Sequence, residues 1–178
     1  VPVPKYTTRL PQWIEEDVIM EGIGKLTKLR DKCIILTAYE CALRIGEVPL
    51  LNKRDFNYDR KELTVHRLKT PGGNPADHTL PISDVLADLL KEYLESRKDR
   101  CEALFVCGSP PHRISREMVR LTFKKFAKLI GRPEITFHTL RHSCLTNYAI
   151  RGADVATLAK LAHHKNPAST LIYIHLSA

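Results

Sequence analysis

Hydrophobic positions recur at helical spacing along most of this chain and alternate in one short stretch. From Gln12 onward, Trp13, Ile14, Val18, Ile19 and Ile23 mark one face of a first helix, and Gly22 and Gly24 weaken its end. Residues 33–43 are apolar nearly all round apart from Thr37 and Glu40, which predicts a helix buried on most sides. The period then changes. Residues 62–69 and 78–82 read as two strands joined by a loose turn at Pro71-Gly72-Gly73-Asn74-Pro75, and Pro81 confines the returning strand to an edge or an end. Ser83 caps a helix carrying Val85, Leu86, Leu89, Leu90 and Leu94, and residues 103–107 add a short strand. Ser115 opens a helix stapled by Ile114 and Val119, with an apolar stripe running on through Phe123, Phe126 and Ile130. A helix over residues 138–150 stops at Gly152, and Asp154 caps another that ends near Ala162. Asn166 and Pro167 fit the N-cap and first position of a last helix carrying Tyr173. Together these elements predict an α+β fold, mainly α, with a small antiparallel sheet.

Size and composition narrow the class. With 178 residues, 43% hydrophobic and 27% charged, the chain can bury a core of its own. No stretch approaches the roughly 18 apolar residues of a membrane span, so no membrane association is expected. Prolines 2, 4 and 11 make residues 1–11 read as a linker from an upstream domain, with the folded domain at 12–178. Five cysteines, an odd number without a C-x-x-C pair, argue against a disulfide framework or a zinc ribbon and fit a reducing cytoplasm. The net charge of +8 favours a polyanionic partner, a signal that many unrelated basic proteins share.

The basic residues are organised. Arg116, Arg120, Lys124 and Lys128 repeat every four residues and fall along one helix face, as a ridge for a phosphate backbone or as an ordinary solvated surface. His138 and Arg141, three apart, project from one face and could meet a phosphate together or make an interhelix contact. Arg44, directly after the buried helix, could satisfy that helix's last carbonyls, and Glu47 could pair with Arg44 or with another arginine. His138 and His142 have the spacing of a helical metal pair, but residue 139 is Thr where H-E-x-x-H needs a Glu, and no carboxylate or cysteine stands at ligand spacing beside them. No G-x-S-x-G elbow and no phosphate-cradling glycine loop is present.

Three segments taken together are more specific than any one of them. Ala42-Leu43-Arg44-Ile45-Gly46-Glu47-Val48, Phe137-His138-Thr139-Leu140-Arg141-His142-Ser143, and the run from Leu161 through His163, His164 and Tyr173 to His175 resemble, in order and spacing, the catalytic domain of the tyrosine recombinase (phage integrase) family. The resemblance implies the DNA breaking-rejoining fold and covalent strand exchange on double-stranded DNA, with neither cofactor nor metal. It implies Tyr173 as nucleophile, Arg44 and Arg141 as clamps on the scissile phosphate, His138 and His164 completing the pocket, and Lys69 as the hairpin lysine that protonates the leaving 5′ oxygen. Where the family usually has Leu-Gly-His, this chain has Ala162-His163-His164, and distance to Tyr173 selects His164 over His163. The implied partners are DNA and other copies of the chain in a synaptic assembly, and the implied setting is integration or excision of a viral or other mobile element in the cytoplasm of a host cell. A chromosome-dimer-resolving housekeeping recombinase shares the same chemistry, and a non-catalytic DNA-binding module would share the fold.

Overall fold

The computed structural model describes residues 12–67 and 77–162. Lys69, His163, His164 and Tyr173, like the last helix expected after Asn166, lie outside them. Six helices are described, α1 (Glu16–Lys25), α2 (Leu29–Glu40), α3 (Asp84–Ser96), α4 (Arg116–Leu129), α5 (His138–Ile150) and α6 (Val155–Ala162). Strands β1 (Phe56–Asn57), β2 (Glu62–His66) and β3 (Asp77–Pro81) form an antiparallel sheet in the order β1-β2-β3, and β4 (Val106–Cys107) pairs with β5 (His112–Arg113). This is the mainly helical α+β architecture that the hydrophobic pattern predicts. Pro81 ends the edge strand β3, where its missing N–H breaks no ladder.

α2 occupies the centre because it has no polar face to keep in water. Cys33, Ile34, Ile35, Leu36 and Ala38 are all buried, and α1, α3, α4 and α5 pack around them. α3 and α4 are amphipathic, and side-chain caps mark the starts of α3, α4 and α6. Ser83 Oγ accepts from the Leu86 N–H at 3.0 Å, Ser115 Oγ from the Met118 N–H at 3.1 Å, and Asp154 Oδ1 from the Thr157 N–H at 2.7 Å. Gly152, at φ 92, supplies the left-handed residue that ends α5. α1 and α4 approach closely at Gly22, where a β-carbon would stand 2.4 Å from Ile130 Cγ2.

Three boundaries differ from the sequence expectation, each for a tertiary reason. The first helix starts at Glu16 and not at Gln12. Residue 14 is tied to α5 in extended form, its N–H donating to Ser143 Oγ at 2.9 Å and its carbonyl accepting from Asn147 Nδ2 at 3.3 Å. The central helix is displaced toward the N-terminus, starting at Leu29 and ending at Glu40. Its first turn is polar and so carries no hydrophobic signal. The pairing of β2 stops at His66 opposite Asp77, and the two-residue strand β1 is too short to show any alternation.

Candidate active site

The end of α2 sets the position of the first arginine. The Ala42 N–H donates to Tyr39 O at 3.2 Å and the Leu43 N–H to Ala38 O at 3.0 Å, the paired bonds of a helix-terminating reversal. Ala42 sits at φ 49, a left-handed conformation that costs a residue with a β-carbon roughly 1 kcal/mol. After this reversal Arg44, half-buried, precedes a 3-10 turn at Ile45–Glu47. The Glu47 carboxylate folds back, and its Oε1 accepts the Arg44 backbone N–H at 2.7 Å. Its Oε2 stands 3.9 Å from Arg44 Nη1.

Arg141 comes from the first turn of α5 and is 2% exposed. Nη1 donates to the carbonyl of Ala42 at 2.6 Å, and Nη2 donates to the carbonyl of Ala162. Helix ends expose carbonyls that lack an intrahelical partner and carry partial negative charge, so a buried guanidinium finds natural acceptors there. The two bonds fix the plane of the guanidinium, and each terminal nitrogen carries a second N–H besides the one donated to a carbonyl. Satisfying the carbonyls after α2, one reading of Arg44, falls instead to Arg141 at Ala42 and to Arg67 at Cys41.

His138 opens α5 one turn before Arg141, and its ring meets the edge of His142 at 4.3 Å between centroids. Desolvation of the His138 ring, followed by the positive charges of Arg141 and Arg44, holds its pKa below the ordinary imidazole value. Arg44, distant in sequence from the other two, therefore shares one electrostatic neighbourhood with His138 and Arg141, and the imidazole is held toward its neutral form. Cys41, buried beside this cluster, has its thiol pushed up to about 12 by burial, which makes it a poor nucleophile. Among the described residues no three His, Cys, Asp or Glu side chains gather as metal ligands.

Sequence reasoning gave Arg67 no role and Glu47 two alternative partners. In the structure they form a fully buried ion pair, Arg67 Nη1 to Glu47 Oε1 at 2.9 Å. The signal was available in the strand's alternation. Leu63 and Val65 face the core, so Arg67 falls at the same parity, a charge on an inward face that demands a partner. The four cations of the predicted ridge lie on α4, away from its buried stripe of Val119, Phe123 and Phe126, and Arg120 is engaged by Glu117 at 2.5 Å.

The family model described as phage integrase family matches residues 12–178. Tyrosine recombinase XerA of Pyrococcus horikoshii is 34% identical over 172 residues, which is 96% of this chain and 59% of the relative. A crystal structure of XerA recombinase superposes with a TM-score of 0.81 at 22% identity, over 94% of this chain and 61% of the other. The Tn1549 transposon integrase, in complex with a circular intermediate DNA, gives a TM-score of 0.73 at 16% identity, over 94% of this chain and 62% of its own. The chain thus spans about three fifths of the length of the relatives it matches.

The site's electrostatics make a direct prediction. In an NMR titration of the DNA-free protein, the His138 ring titrates with a midpoint below 6.5, and Arg44→Met moves that midpoint upward by removing one of the two cations. A midpoint at or above 6.5, or no response to Arg44→Met, contradicts this arrangement of charges.

Proposed function

Because this chain belongs to the phage integrase family, we propose that it is the catalytic domain of a site-specific recombinase that cleaves and rejoins double-stranded DNA through a 3′-phosphotyrosyl intermediate on Tyr173. The observation that carries the reading is the meeting of Arg44, His138 and Arg141, with Arg141 bonded to the last described residue, Ala162, beyond which the chain runs on toward His164 and Tyr173.

A phosphodiester resists attack because its oxygens are already negative, and charge grows further in the pentavalent transition state. Two permanently ionised guanidiniums with planar donor forks offset that charge directionally, and this is the role of Arg44 and Arg141. A phenol with a pKa of about 10 is a weak nucleophile at neutral pH, and His138, held toward its neutral form, is the base we assign to take its proton. The Tyr173 oxygen forms the new bond to phosphorus while the bond to the 5′ oxygen breaks. Lys69 gives that oxygen its proton, and His164 contributes a further donor to the phosphate. Attack by a second 5′ hydroxyl reverses the sequence on a new partner strand. The phosphotyrosyl bond conserves the energy of the phosphodiester, so the religation step requires no nucleotide hydrolysis.

The same reading gives the ridge of Arg116, Arg120, Lys124 and Lys128 the task of holding the DNA backbone, and it takes other copies of the chain as partners in a synaptic assembly. Integration or excision of a viral or other mobile element is the biological role proposed, and the Tn1549 integrase in complex with a circular intermediate DNA supports it. Relatives about one third identical carry the name tyrosine recombinase XerA, without mention of a phage or transposon, which favours a housekeeping recombinase as the second reading.

Incubation with nicked or supercoiled DNA followed by a denaturing gel tests the chemistry. The protein forms a covalent DNA adduct, and Tyr173→Phe abolishes the adduct while leaving DNA binding within about twofold, since only the nucleophilic oxygen is lost. Normal adduct formation by the variant removes Tyr173 from the role.

Lys69 is tested by its leaving group. Lys69→Ala cleaves ordinary DNA slowly, by a factor on the order of 100 or more. Replacing the bridging 5′ oxygen with sulfur gives a leaving thiol of pKa about 8.5 that departs without an acid, so this substrate restores Lys69→Ala but not Arg44→Ala or Arg141→Ala. An equal defect on both substrates assigns the acid to another group.

A further inference from the structure

Arg67 stands at the inward parity of β2, just past the last paired residue, and its side chain is completely buried. Nη1 donates to Glu47 Oε1 at 2.9 Å, and Nη2 donates both to the carbonyl of Cys41 at 3.3 Å and to the carbonyl of Leu161 at 2.8 Å. Set beside Arg141, the arrangement is paired. Arg67 bridges the carbonyls of residues 41 and 161, and Arg141 bridges those of residues 42 and 162. Two guanidiniums from different elements lace adjacent carbonyls at the end of α2 to adjacent carbonyls at the end of α6. The same Glu47 oxygen that takes Arg67 also takes the Arg44 backbone N–H.

We propose that Arg67 is a positioning residue of the strand-exchange reaction, fixing the carboxyl end of α6, from which the chain leads to His164 and Tyr173, against the turn that presents Arg44. α6 has eight residues and packs mainly on α5, so its last turn depends on tertiary ties to hold its place. Among the described residues Arg67 supplies one such tie and Arg141 another, but Arg141 must also serve the phosphate. Arg67 can hold α6 whether or not DNA is bound, because its partners are Glu47 and backbone carbonyls. It touches no reacting atom, and it acts through Arg44 on one side and through the residues after Ala162 on the other.

The inference rests on the recombinase reading, and its test separates the two. A buried ion pair matters to any fold, and removing Arg67 alone would leave Glu47 charged and unpaired. The informative variant is therefore Arg67→Met combined with Glu47→Gln. It removes the buried charge, keeps an oxygen for the Arg44 N–H, and deletes the ties to Cys41 and Leu161. Arg67→Lys is the second variant, keeping the charge opposite Glu47 without the fork that spans it and α6. Three quantities are read: cooperative thermal unfolding, amide hydrogen exchange in α6 relative to α5, and single-turnover adduct formation at saturating DNA.

For both variants the expected result is cooperative unfolding and α6 exchange faster by about tenfold, the factor carried by one lost charge-assisted hydrogen bond. Adduct formation is expected to fall by about 100-fold at unchanged DNA affinity, the scale of a misplacement near 1 Å. Exchange and adduct rate both within about twofold of the parent protein, in whichever variant folds, overturn the proposal. So does full restoration of the adduct by Arg67→Lys. Failure of the parent protein itself to form an adduct, with α6 still loosened in the variants, removes the recombinase reading and leaves Arg67 as the anchor of α6.

Discussion

A guanidinium taken out of water must find acceptors for its N–H groups, and the architecture around the site is organised by two such groups. Arg67 and Arg141 are each 2% exposed; Arg141 finds acceptors in the carbonyls of Ala42 and Ala162, and Arg67 finds them in the carbonyls of Cys41 and Leu161 and in the Glu47 carboxylate, while its Nε has no partner among the described residues. The helix ends gain donors, and the cations gain partners rigid enough to hold them. Removing either arginine would delete two hydrogen bonds to backbone carbonyls, each bond to a charged donor contributing roughly 1.5–3 kcal/mol. The left-handed conformation of Ala42 is understandable in this setting, because the reversal turns the carbonyls of residues 41 and 42 toward the two arginines.

The charges of the site are offset unequally. Glu47 is the buried carboxylate in the cluster, and its bonds go to the Arg67 side chain and the Arg44 backbone, leaving the Arg44 guanidinium only a long contact of 3.9 Å. Burial depresses the pKa of His138 most, and the positive charges of Arg141 and Arg44 depress it further. An incoming phosphate would meet cations already oriented, so little reorganisation would accompany charge development in the transition state. Burial and this positive field together hold the His138 imidazole toward its neutral form.

The long-period features of this fold were legible in the sequence, and the features made by backbone were not. The spacing of Leu86, Leu90 and Val119, Phe123, Phe126, with Ser83 and Ser115 before them, reads directly as capped amphipathic helices, and the structure has them. Arg44, His138 and Arg141 could be found because their types and order form a recognisable set. What they bind to could not be found, since a carbonyl at residue 42 or 162 has no sequence identity. Arg67 was legible in principle from strand parity, but one residue past the end of a five-residue strand, parity is a weak signal until the register is known. The extended hold on Ile14, made by Ser143 and Asn147, lay more than 120 residues away in sequence and left no local trace.

Side-chain NMR of the guanidinium groups in the DNA-free protein tests most directly whether the arginines are fixed before DNA binds. Groups bonded to two backbone carbonyls rotate slowly about their C–N bonds, so Arg67 and Arg141 should each show separate, persistent Nη proton signals. Arg116, exposed on α4, serves as the reference and should give a single averaged signal. Resolved Nη signals for both buried arginines support a site assembled in advance. An Arg141 signal averaged as fully as that of Arg116 would contradict it, and would place the ordering of the clamp after the arrival of DNA.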